Sequence, residues 1–100
     1  MNKKKKMKFH PLGITPENIT VVDNIFKLFD SLGLPLDVIF DMLKERNCIP
    51  SWIHFYDDAI AQGWSHETIL NRLTINVSDV YGKDFCDEVI KRLELYVASK

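Results

Sequence analysis

The run CIPSWIHFYDDAIAQGW, residues 48–64, holds the densest group of side chains capable of chemistry in this 100-residue sequence. His54 and Asp58 lie four positions apart. On a helix they share a face one turn apart and could offer a metal ion an imidazole nitrogen and a carboxylate oxygen. A usable site needs at least a third protein ligand with supporting contacts. The other candidates are Cys48, His66, His10 and Cys86, whose separations fit no zinc-finger or ribbon spacing. Asp57 and Asp58 make a poor acid–base pair, because neighbours on a helix diverge by about 100°. The glycines at 13, 33, 63 and 82 stand alone, so no phosphate-binding loop is present. No serine or cysteine sits in a nucleophile-elbow setting. These patterns predict a non-catalytic protein without cofactor or metal.

What must position these residues is a set of helices. Thr15 as N-cap, Pro16 at the first helical position and Glu17 in the first turn predict a helix running to Leu32 and closed by Gly33. Its apolar residues from Ile19 to Leu32 fall on one half of a helical wheel. A second helix opens around Pro35 and ends before Pro50, whose predecessor is pushed out of helical angles. In the third, Trp52, Ile53, Phe55, Tyr56, Ala59 and Ile60 form the inward stripe, which leaves His54, Asp57 and Asp58 facing water. Gly63 and Ser65 separate it from a fourth helix, in which the β-branched LTINV around Ile75 could break or tighten the coil. A fifth follows Gly82, buries Phe85, Cys86, Val89, Ile90 and Leu93, and offers Asp87–Lys91 and Glu88–Arg92 as ion pairs. The expected fold class is all-α, a compact single-domain bundle of about five short amphipathic helices over residues 9–100.

Composition agrees: 46% hydrophobic and 27% charged side chains fit a soluble globular domain, not a disordered chain. Two cysteines do not make a disulfide framework, and no apolar run spans a membrane, so a cytoplasmic location is expected. Charge is unevenly placed. Lys3, Lys4, Lys5, Lys6 and Lys8 form a basic, flexible N-terminal arm over residues 1–8, where they could contact phosphates. The rest carries eight basic against fourteen acidic side chains, a balance of −6.

Two functions compete. The first is a small regulator, adaptor or inhibitor that binds a protein partner or a second copy of itself, with basic surfaces favoured by the acidic body. Trp64 in a turn and Ile75 and Leu95 on polar helix faces are the expected contact residues. The second is a nucleic-acid-associated domain, since residues 34–64 read as two helices and a short turn. Over residues 15–70 the succession of helix lengths, aromatic, glycine and new helix start resembles the DnaD-type replication domains, which implies a replication role. That family's Tyr-x-x-x-Ile-x-x-x-Trp run falls on Ser51, Phe55 and Ala59, where only Phe55 keeps a large apolar side chain and the other two positions are lost. A DNA-reading helix also needs Lys or Arg, which SWIHFYDDAIAQ lacks.

Overall fold

The computed structural model describes residues 10–100, and the chain there begins with strands where a helix was expected. Strand β1, His10–Ile14, runs antiparallel to β2, Thr20–Asp23. The register places Pro11 opposite Val22 and Gly13 opposite Val21, so Leu12 is a bulge. The Asn18 N–H donates to the Thr15 carbonyl and the Thr15 N–H to the Ile19 carbonyl, each at 2.8 Å. Thr15 Oγ1, expected to cap a helix, instead accepts from the Ile19 N–H at 3.1 Å across the turn. A Thr-Pro-Glu run serves a type I turn as well as a helix start, because proline suits the second position of both. Asn18 decides between them. Its φ of 68° is left-handed, which a helix cannot continue through and which closes a hairpin after a type I turn.

The all-α expectation is therefore corrected to a mostly helical domain with a small three-stranded sheet. Strand β3, Cys48–Pro50, lies parallel to β2, pairing Val21 with Ile49, in the order β1-β2-β3. Parallel neighbours need a crossover. Here it consists of α1, Ile25–Leu32, and α2, Leu36–Glu45. The wheel misled at Ile19–Val22 because four β-branched residues satisfy a period of 2 as easily as one of 3.6. Asn24, at φ 70°, breaks the chain between β2 and α1, and Asn47, at φ 57°, turns it into β3. The Asn47 side-chain amide donates to the Asn18 carbonyl at 2.9 Å, tying the two turns together.

The remaining helices stand close to where the sequence put them. They are α3, Trp52–Ala61, α4, His66–Tyr81, and α5, Lys83–Ala98. Ser65 caps α4 by accepting from the Thr68 N–H at 3.1 Å. Helix α4 is unbroken through Ile75; Thr74 and Asn76 each donate at 2.7 Å to the carbonyl one turn back. Gly82 alone, at φ 97°, reverses the chain, so α4 and α5 form a helical hairpin. On α5, Asp87 pairs backwards with Lys83 at 2.9 Å, not forwards with Lys91 as expected. The core joins Phe26, Phe40 and Phe55 to Ile69, Leu73 and Val77 of α4 and Cys86, Val89 and Leu93 of α5. Phe55 sits edge-on to Phe26, centroids 5.4 Å apart, a favoured aromatic geometry. No helix among the described residues is long and apolar enough to cross a membrane. The lysine arm, residues 1–8, lies outside the described residues.

Candidate binding groove

Strand alternation gives the sheet two unequal faces. Val22 of β2 and Pro50 of β3 turn inward and are buried. Val21 and Ile49, opposite each other in the register, turn the other way; with Ile19 they stay half-buried, outside the core cluster. Helix α5 stands across from this outer face without closing on it. Between them lies a groove of about 420 Å³, walled by Ile19 and Ile49 on the sheet side and by Phe85 and Val89 on the helix side. Trp52 forms its inner end, packed edge-on to Phe85 at 6.2 Å and to Phe40 at 5.6 Å.

The rim is charged. Glu17 reaches it from the hairpin turn, beside Thr15, and Glu88 and Arg92 from successive turns of α5. The ion pairs among the described residues are Lys83–Asp87 and Lys100–Asp57, so Glu17, Glu88 and Arg92 stand unpaired there. The expected Glu88–Arg92 pair does not form. Apolar walls with a few convergent polar groups are what a binding site offers.

Tyr81 holds the position of β3. Its hydroxyl donates to the Cys48 carbonyl at 3.2 Å and the Phe40 carbonyl at 3.3 Å, linking strand, α2 and α4. Burial, reinforced by the nearby Cys48 and Asp41, pushes this hydroxyl well above the ordinary tyrosine range, so it remains a donor.

A second cavity, about 430 Å³, lies between α2 and α4 and is lined by Asp37, Asp41, Glu45 and Asp79. Lys44 crosses it to donate to the Val80 carbonyl at 3.0 Å. Among the described residues no group of three His, Cys, Asp or Glu side chains is arranged to hold a metal ion.

The opening constellation disperses. His54 is exposed, its Nδ1 at 2.6 Å from Ser51 Oγ. Asp57 accepts from the Tyr96 hydroxyl at 2.7 Å and pairs with Lys100 at 3.4 Å. His66 is engaged elsewhere, with Tyr56 at 2.7 Å. The expected inward stripe holds at Trp52, Phe55, Tyr56 and Ala59, while Ile53 and Ile60 are exposed.

The expected contact residues differ among themselves. Trp64 is half-buried, edge-on to Phe26 at 5.1 Å and to Phe29 at 5.8 Å, with the Arg72 guanidinium over its ring at 5.1 Å. Its indole belongs to the core margin. Ile75 and Leu95 are 67% and 63% exposed on the outer sides of α4 and α5. Counted from Gly82 at 1.5 Å per residue, they sit at levels about 9 Å apart along the hairpin. The lysines proposed for phosphate contact fall outside the described residues. Sequence reasoning missed Ile19 and Ile49 because it placed one in a helix and the other in a linker. The usable signal was asparagine at 18, 24 and 47, the residue type that best tolerates left-handed angles after glycine.

Compared with protein-family models, with curated proteins and with solved structures, the chain matches none.

Proposed function

We propose that this protein is a non-catalytic interaction module, of adaptor or inhibitor type, that holds apolar side chains of a partner protein in the groove between the sheet and α5. One observation carries the reading: Ile19 and Ile49 wall a groove of about 420 Å³ on a sheet face that the protein's own core leaves uncovered. Apolar surface of this kind gains from being removed from water, by about 25 cal/mol per Å² buried. A body balance of −6 favours a protein partner over nucleic acid, whose phosphates it repels.

Affinity capture from source extract tests the reading, with wild type compared against Ile19→Asp and against Ile75→Asp/Leu95→Asp. Capture of a protein by wild type that Ile19→Asp loses, and that the double variant keeps, is the expected result. Equal capture by all three forms, or a captured species that nuclease removes, would overturn it.

A further inference from the structure

The rim of the groove carries information about what it accepts. Among the described residues, Glu17 and Glu88 flank the apolar walls as carboxylates without ion-pair partners, against one lining cation, Arg92. Building on the interaction reading above, we infer that the groove takes a short segment of a partner protein with one or two large aliphatic or aromatic side chains next to a lysine or arginine. The apolar side chains enter between Ile49 and Val89 and rest on Trp52. The neighbouring cation stays at the rim between Glu17 and Glu88, where it needs little desolvation. Arg92, one turn beyond Glu88, repels that cation and so fixes which way the segment runs.

Charge selects this occupant over the alternatives. Two folded bodies, each of balance −6 over residues 9–100, repel one another when set face to face, and because the whole chain stands at −1 the oligomeric state is read as an outcome of the test. An apolar carboxylate would meet Arg92 but would also face Glu17 and Glu88, two like charges that repel it. A basic segment gains from both rim carboxylates, Glu17 and Glu88. Exposed charge pairs are individually weak, so each rim carboxylate contributes roughly 1.5- to 5-fold in affinity, and the effect fades with salt.

The test uses the full chain and three short fluorescent peptides that share a central Leu-Trp pair and differ in flanks of lysine, serine or glutamate. Anisotropy is read at low and high salt. The lysine-flanked peptide should bind tightest, with a preference over the serine-flanked one of roughly tenfold at low salt that shrinks at high salt. Glu17→Gln/Glu88→Gln should erase that preference while leaving serine-flanked binding unchanged, and Ile19→Asp should abolish binding of all three. If the peptides bind equally but Ile19→Asp still removes them, the charge inference falls and the interaction reading stands. Lysine preference that survives the double substitution, or failure of all three peptides to bind, overturns the inference, and the capture experiment then judges the interaction reading by itself. A dimer in light scattering that Ile19→Asp dissociates would assign the groove to a second copy instead.

Discussion

Replacing Tyr81 with phenylalanine removes one oxygen and leaves the ring in contact with Phe40, Trp52 and Phe85. The hydroxyl makes two hydrogen bonds, of 3.2 and 3.3 Å, both long for an O–H donor. Shared and long, they sit at the low end of the range for net hydrogen-bond contributions, so the expected loss is about 1 kcal/mol. In a domain this size that lowers Tm by roughly 4–8 °C. The pH dependence gives a second, independent signature. Burial raises the pKa of the folded-state hydroxyl above the ordinary tyrosine value of about 10, so the folded protein holds this proton more tightly than the unfolded chain. The stabilisation is fully present below pH 10 and is lost above it, as the unfolded chain ionises, by at most about 1.4 kcal/mol per pH unit. Urea unfolding of both forms at pH 7 and through the alkaline range measures this; the other tyrosines titrate in both and cancel in the difference. The curves should stand about 1 kcal/mol apart at neutral pH and converge above pH 10. No gap at pH 7, or a constant gap through the alkaline range, would show that Tyr81 does not anchor β3 as described.

Other expectations are as direct. Asn24→Ala should cost about 1 kcal/mol in thermal unfolding and Asn24→Gly should cost little, because the site needs a left-handed φ; equal effects would refute the turn. Trp64→Ala should destabilise by about 2 kcal/mol, less than a fully buried indole, whereas Ile75→Asp and Leu95→Asp should each stay within about 0.5 kcal/mol. If Trp64→Ala leaves Tm unchanged, the indole is not packed against Phe26 and Phe29. Ser65→Ala should cost about 1 kcal/mol by removing the α4 cap, read as a shift in urea midpoint. Addition of Zn²⁺ or Ni²⁺ should leave Tm unchanged, and a rise that His54→Ala removes would mean that His54 takes part in holding metal after all.

Long segments with sustained helical periodicity were legible. The inward stripes of the third and fifth helices place Trp52, Phe55, Val89 and Leu93 correctly, as does the Ser65 cap. The sheet was not legible, for a physical reason. Strands of three to five residues are too short for periodicity to separate them from helix, and a parallel pair joins residues that lie far apart in sequence, as Val21 and Ile49 do. The groove inherits that blindness. Its helix wall, Phe85 and Val89, was recognised as an inward face, but its sheet wall exists only once β3 finds β2. Trp64 shows the converse limit: a large side chain in a turn looks available until Arg72 and two phenylalanines are seen around it.

The most direct test of the groove as the binding surface is isoleucine-methyl NMR of the full chain titrated with the captured partner. If the groove is the binding surface, shifts concentrate at Ile19 and Ile49 while Ile75 stays unmoved. Shifts at Ile75 while Ile19 and Ile49 stay in place would contradict it.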